Sequence, residues 1–317
     1  MKRIIVTVGP SLLYRIPLTE THKDEYIYRI NGAHGDMNEI EKHILVIKEQ
    51  IPDAVILLDL PGNKVRTANL NVPIKFQNGK EFSILSRQIN YQGFYKYVQK
   101  GDTVWANDSV FRFTIQQADE EQIVLLAEID GELHNNKGLH VRGIHDDVPF
   151  LFDKDYRLIE LANKYKIDFI GLSFVRNVED LQLAREYINI EVEIIAKVET
   201  KSSVVNIQSI LNNVEYILLD RGDLSTEIGI EKIPDYQKFI IDKTLFHNKR
   251  IFLATQFLKN MEEKPVPTIA EVIDMYNTFK SGVYGIQLAE ETAIGKHPKK
   301  CLSLIDRLIK EVNNERT

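Results

Sequence analysis

EIIAKVETKSSVVNIQSILNNVEYILLDRGD, residues 193–223, holds two short apolar runs, Glu193–Lys197 and Tyr216–Asp220, parted by a stretch of helical period and each ending in charge. Runs without polar alternation are expected of strands buried on both faces, the character of parallel strands joined by helices. Working outward, the same cadence returns at Ile4–Val8, Tyr26–Ile30, Val55–Asp59, Phe169–Ser173, Arg250–Ala254 and Gly285–Ala289, with amphipathic stretches such as Asp36–Gln50 and Asp155–Tyr165 between runs. Eight such units predict an α/β fold, a closed (β/α)8 TIM barrel.

Between Val55–Asp59 and Phe169–Ser173 the rhythm breaks. Residues 67–148 carry alternating strands, as in Val110–Ile115, and turn pairs at Asn78-Gly79, Lys100-Gly101, Asp130-Gly131 and Lys137-Gly138. The expected organisation is a barrel domain from 1–66 and 149–317, and an inserted small β-barrel lid domain at 67–148, where a sandwich would also fit. No fixed-period repeat or low-complexity segment interrupts it, and Lys299–Val312 reads as a last helix.

The 317 residues are enough for a large core, and 44% hydrophobic with 27% charged residues is an ordinary globular balance. No apolar run is long enough to span a bilayer. Met1-Lys2-Arg3 runs directly into a strand with no leader-like segment, so a cytoplasmic setting without membrane attachment is expected. One cysteine, Cys301, offers neither a disulfide nor a thiolate metal set and reads as a small core residue. The net charge of −6, with basic residues scattered, gives no face for nucleic acid, so a small-molecule partner is expected.

In such barrels chemistry gathers at the carboxyl ends of the strands. Those ends offer Gly9-Pro10, Arg29 with Asn31 and His34, Asp59, Ser173, Lys197 with Glu199, Arg221-Gly222-Asp223, Thr255 and Glu291. Arginines, a lysine and carboxylates converging on one mouth suit a divalent metal with a multiply charged anion. Lys197 and Glu199 share a strand face because strand side chains alternate, and Asp223 ends the neighbouring strand. A plain strand-end salt bridge would also explain Lys197 and Glu199, and a helix cap would explain Asp223. Gly222 exposes amides able to bind a carboxylate. Thr255 could serve a reacting group or only its own backbone, and His34 could cap or line a site. Phosphate-loop, dinucleotide, zinc-protease, paired-cysteine and nucleophile-elbow motifs do not occur.

Taken together, Thr7-Val8-Gly9-Pro10-Ser11, Arg29-Ile30-Asn31-Gly32-Ala33-His34-Gly35-Asp36, Leu57-Leu58-Asp59, Val65-Arg66-Thr67, Lys137-Gly138, Ser173-Phe174-Val175-Arg176 and Ile195-Ala196-Lys197-Val198-Glu199 resemble the pyruvate kinase family. The likeness continues through Arg221-Gly222-Asp223-Leu224, Ala254-Thr255-Gln256, Pro267-Thr268-Ile269-Ala270-Glu271 and Glu291-Thr292-Ala293. It implies a pyruvate kinase-like phosphotransferase moving the phosphoryl group of phosphoenolpyruvate to ADP to give pyruvate and ATP, with Mg2+ or Mn2+. It further implies that Lys197 neutralises the moving phosphoryl group and Arg29 holds the phosphate. Glu199 and Asp223 would bind metal, and Ser173 would line the substrate pocket. Gly222 and Asp223 amides would bind the carboxylate, and Thr255 would assist protonation of the enolate. Pro10, His34, Arg66 and Lys137 would contact the nucleotide.

Departures from the family pattern carry their own expectations. Of four residues that hold a monovalent cation, Asn31 and Asp59 remain while Ala33 and Leu60 stand at the others. Lys64 replaces a glutamate, so K+ is expected to be dispensable. Asp220 stands where the family has a small residue, Asn63 where it has proline and Ala289 where it has serine, and Asp220 could alter substrate choice or metal number. The family's carboxyl-terminal domain has no counterpart here, so no control through it is expected. Two alternatives stay open. One is a metal-dependent aldolase or lyase, whose signature Val198-Glu199-Thr200 and Asp223-Leu224-Ser225 also fit, or another biosynthetic enzyme acting on phosphoenolpyruvate or pyruvate with the same barrel site. The other is a catalytically silent regulatory paralogue. Homo-oligomer formation stays open as well.

Overall fold

The computed structural model describes residues 2–107 and 110–314. The chain runs β1 (Arg3–Thr7), β2 (Tyr26–Asn31), α1 (Met37–Gln50) and β3 (Ile56–Asp59), then the insert strands β4 (Ile74–Phe76), β5 (Glu81–Leu85), β6 (Thr103–Ala106), β7 (Phe111–Ala118), β8 (Gln122–Ala127), β9 (Gly131–Leu133) and β10 (Leu139–His140). It returns through α2 (Ile144–Asp147) and α3 (Asp153–Tyr165) to β11 (Phe169–Leu172), α4 (Val178–Arg185), β12 (Glu193–Val198), α5 (Lys201–Val205), α6 (Ile207–Leu211), β13 (Tyr216–Asp220), α7 (Arg221–Ile228), α8 (Ile233–Phe246), β14 (Arg250–Ala254), α9 (Ile269–Lys280), β15 (Gly285–Leu288), α10 (Glu290–Ala293) and α11 (Pro298–Asn314).

The eight apolar runs are the eight strands of a closed parallel barrel in the order β1, β15, β14, β13, β12, β11, β3, β2. Helices begin where the sequence places caps. Asp36 and Glu39 form a reciprocal capping box at α1, and Thr268 and Glu271 form another at α9. One apolar layer packs between barrel and helices around Ile44, Leu158, Ile240 and Phe279. A second fills the barrel interior with Ile5, Ile27, Leu57, Ile195, Leu218 and Phe252.

This inner layer positions the site. Strand side chains repeat with period two, so the next inward position toward the carboxyl end is Thr7 after Ile5, Arg29 after Ile27, Asp59 after Leu57, Lys197 after Ile195 and Asp220 after Leu218. The barrel lumen therefore changes from hydrocarbon to charge within one step along the strands.

The insert has its own core, including Phe76, Phe94, Phe113, Ile115 and Leu125. Among the described residues its strands do not close by hydrogen bonding into a small barrel, one of the two arrangements, barrel or sandwich, that the turn spacing allows. They pair as a five-stranded antiparallel sheet, β10-β6-β7-β8-β5, and a separate ribbon, β4-β9. The physical reason is that β4 and β9 have three residues each, while a register shift between Ile115 and Gln117 bends β7. Packing of Phe76 against Phe82, Phe111 and Phe113, ring centroids 4.9–5.1 Å apart, joins the two sheets instead. Cys301, a residue of α11, is fully buried. Among the described residues no helix is long and apolar enough to cross a membrane.

Barrel closure depends on Gly285, where a Cβ would lie 1.9 Å from the Arg3 carbonyl oxygen and 2.9 Å from the Phe252 ring. Gly285→Ala is expected to lower unfolding free energy by about 1–3 kcal/mol, seen as a lower urea midpoint. An unchanged midpoint would show that β1 and β15 part easily.

Candidate active site at the barrel mouth

Asp59, at the end of β3, organises the mouth. Its Oδ2 accepts from Arg29 Nε at 2.8 Å, lies 2.7 Å from Arg29 Nη2, and sits 3.4 Å from Lys197 Nζ. Arg29 Nη1 donates to Thr7 Oγ1 at 2.9 Å, which completes its hold from β1. The other oxygen, Asp59 Oδ1, is buried with no hydrogen bond and has space only because residue 171 is glycine, where a Cβ would lie 2.4 Å away.

Lys197, 6% exposed, donates to Ser173 Oγ at 3.0 Å and lies 2.9 Å from Glu199 Oε1. Ser173 in turn donates to the Leu60 carbonyl oxygen at 2.7 Å. Burial works against the charge on Lys197, but Asp59, Glu199 and Asp220 outweigh it and raise its pKa. The ammonium is thus fixed, charged and aimed from β12 into the mouth.

Glu199 is fully buried, and burial pushes its carboxyl up to about 8 against the pull of Lys197. Its Oε2 accepts from the Phe174 amide at 2.6 Å. Phe174 has φ +57, a left-handed conformation uncommon for an aromatic, and its ring stacks on His145 at 4.1 Å. Glu199 Oε1 faces Lys197 without an aligned hydrogen bond. Oxygens of Glu199, Asp220 and Asp223 lie within 4.8 Å of one another. Hard oxygens at this spacing, one of them short of a partner, fit Mg2+ or Mn2+. Lys64 Nζ sits 2.6 Å from Asp223 Oδ1. Burial raises the Asp223 carboxyl, and Lys64 reverses this to hold it well below the usual range.

Asp220 caps α7 through Oδ1, which accepts from the Gly222 amide at 3.1 Å and the Asp223 amide at 3.4 Å. The same oxygen accepts from Thr255 Oγ1 at 2.6 Å. Thr255 has φ +81, a strained value for a β-branched residue, and its carbonyl oxygen accepts from Arg221 Nη2 at 2.6 Å.

Two expected members of the converging set are elsewhere. Arg221 turns away from the mouth to pair with Asp274 at 2.8 Å and lie over Phe257 at 4.3 Å, because its length and the two loop carbonyls beside it favour bracing. Glu291 accepts from the Ala289 and Leu258 amides at 2.7 and 3.3 Å, holding the loops after β14 and β15. Asn31 accepts from the Ala33 amide at 3.1 Å and is level with Asp59 in the strand register.

Arg66, Lys137 and His34 lie along the seam between barrel and insert. Arg66 bridges to Gly138, the Lys137 amide donates to Thr67 Oγ1 at 2.9 Å, and Asn136 Nδ2 is 3.4 Å from His34 Nδ1. Burial, with Arg66 and Arg29 nearby, lowers the His34 pKa. Pro10 lies exposed before the turn Ser11–Arg15. Sequence reading missed Lys154 of α3, which donates to the Gly35 carbonyl oxygen at 2.9 Å and adds a cation near Arg66. It also missed the chain that latches the insert to α7. His145 Nδ1 is 2.9 Å from Asn63 Oδ1, His145 Nε2 is 3.3 Å from His140 Nδ1, and His140 Nε2 is 3.2 Å from Glu227 Oε1. Nothing in their spacing announces that these residues meet.

The family described as pyruvate kinase, barrel domain, matches residues 1–302. The chain belongs to the pyruvate kinase family. Pyruvate kinase of Thermotoga maritima is 32% identical, over 99% of this chain and 71% of its own length. That of Borreliella burgdorferi is also 32% identical, over 92% of this chain and 63% of its own. A crystal structure of a pyruvate kinase from Cryptosporidium parvum superposes with a TM-score of 0.84 at 30% identity, covering 99% of this chain and 69% of that one. Membership makes the chain a pyruvate kinase-like phosphotransferase.

Asp59→Ala would leave Arg29 buried without its carboxylate, and loss of one partner of a buried pair costs about 3–5 kcal/mol. Equilibrium urea unfolding should read a loss of that size. A loss under about 1 kcal/mol would show that Thr7 and water suffice to hold Arg29.

Proposed function

We propose that the protein transfers the phosphoryl group of phosphoenolpyruvate to ADP, giving pyruvate and ATP. The reading is carried by the Lys197 ammonium, fixed by Asp59, Ser173 and Glu199 beside carboxylate oxygens that can take a divalent ion. Phosphoryl transfer needs little covalent work from the protein and much preorganised charge, which is what this mouth supplies. Lys197 and Arg29 bind and orient the phosphate, with Ser173 holding Lys197 in place. Glu199 and Asp223 would hold Mg2+ or Mn2+, and the ion would supply further neutralisation of the phosphate oxygens. His34, Arg66 and Lys137 form a seam for the nucleotide phosphates, and Pro10 would contact the nucleotide as well. The insert at 67–148 acts as the lid that excludes water. Thr255 would assist protonation of the enolate.

We infer further that K+ is not required. Ala33 and Leu60 bring no side-chain oxygen, and Lys64 sets a permanent positive charge against Asp223. A lactate-dehydrogenase-coupled assay with phosphoenolpyruvate, ADP and Mg2+ in sodium buffer should show turnover, and Lys197→Met should reduce it at least about a hundredfold. Strict K+ dependence would refute the Lys64 reading. Pyruvate loss that needs an aldehyde, without ATP formation, would replace the kinase by a lyase.

Metal binding should also report Glu199. Below about 8 its carboxyl holds a proton that the ion must displace, whereas Asp223 is already ionised. Mn2+ affinity followed by electron paramagnetic resonance should therefore rise toward alkaline pH, by up to about tenfold per unit, and level off above about pH 8. A flat profile would remove Glu199 from the ligand set.

A further inference from the structure

The first-turn amides of α7 and the Thr255 hydroxyl form a seat in the proposed site suited to a substrate carboxylate, since all three donate and the helix start favours negative charge. In this chain they are already engaged. Gly222 N at 3.1 Å, Asp223 N at 3.4 Å and Thr255 Oγ1 at 2.6 Å converge on a single acceptor, Asp220 Oδ1. Each donor has one hydrogen, so an incoming carboxylate and Asp220 cannot both be satisfied there. They would also meet as like charges. Asp220 faces the rest of the mouth as well, because it lies with Glu199 and Asp223 in one group of oxygens and its charge acts on Lys197.

We propose that Asp220 is a specificity-determining residue, a carboxylate of the chain itself that fills the substrate-carboxylate seat and must be displaced before an anionic ligand binds there. A residue serving only as a helix cap would bond the amides, and capping alone asks nothing of Thr255. The short Thr255 contact ties the cap to a hydroxyl at the end of the neighbouring strand, whose own backbone is held at φ +81. Asp220 thereby weakens carboxylate binding while leaving the phosphate-holding pair, Arg29 and Lys197, in place. The proposal rests on the phosphoenolpyruvate reading for the identity of the seat's natural occupant, but the seat can be probed without turnover.

The probe is oxalate, a small dicarboxylate, titrated calorimetrically in the presence of Mg2+ into the wild-type chain, Asp220→Ala and Asp220→Asn. Emptying the seat should tighten oxalate binding in D220A by between about threefold and thirtyfold, the range expected from losing a competing cap. D220N keeps an acceptor but loses the charge, and should gain less. Without ligand, D220A should melt earlier than wild type, and saturating oxalate should narrow that gap, which a purely structural cap would not produce. In the coupled assay KM for phosphoenolpyruvate should fall in D220A more than kcat changes. Oxalate binding equal to or weaker than wild type in folded D220A would overturn the proposal. Should D220A fail to fold, D220N decides alone: tighter binding supports the proposal and unchanged binding overturns it. Tighter oxalate binding with no phosphoenolpyruvate turnover in any form would keep the proposal and remove the kinase reading. Turnover in all forms with no gain in oxalate affinity would do the reverse.

Discussion

A buried carboxylate between two cations sets the terms for the whole mouth. Asp59 lies at the top of the barrel lumen, where solvent cannot satisfy it, and its stability there depends on Arg29 and Lys197 approaching the same oxygen. That requirement fixes Arg29 against Thr7 and holds Lys197 where it also reaches Ser173 and Glu199. It extends to Gly171, since any side chain there would displace the Asp59 carboxylate. Charges paired this way are arranged before a ligand arrives, so little reorganisation is left for the reacting state. The fold and the proposed catalytic electrostatics therefore rest on the same few contacts.

The insert is joined to this cluster by more than its two chain connections. On the way out, Lys64 contacts Asp223 and Asn63 contacts His145. On the way back, His140 reaches Glu227 and Arg142 Nε donates to the Thr226 carbonyl oxygen at 3.0 Å. Asp223, Thr226 and Glu227 all belong to α7, so one short helix carries a candidate metal ligand, the proposed carboxylate seat and the latch of the insert. Both connections of the insert thus bear on the helix that would sense a bound substrate.

Strain concentrates at the same place. Phe174, Thr255 and Gln256 adopt positive φ without being glycine. Phe174 spends that strain to aim an amide at Glu199, and Thr255 is held by Asp220 and Arg221. Such conformations persist only where surrounding bonds over-determine them, and they break local propensity where function is expected to do so.

Strand positions, barrel closure, the β-rich insert and the inward alternation that lines up Arg29, Asp59, Lys197 and Glu199 were legible from the chain alone, because periodicity is a local property and two-sided burial imposes it residue by residue. Partner choice was not. Arg221 and Glu291 stand at strand ends with the right chemistry, yet they brace loops, while Asp220 turns onto the α7 amides and Lys64 onto Asp223, 159 positions away. The histidine latch and Lys154 gave no spacing signal at all. Amino-acid order by itself determined the strands and which side chains stand at their carboxyl ends. Only the tertiary structure decided which of them spend their bonds on one another, because that depends on distances across the closed barrel that no linear period records.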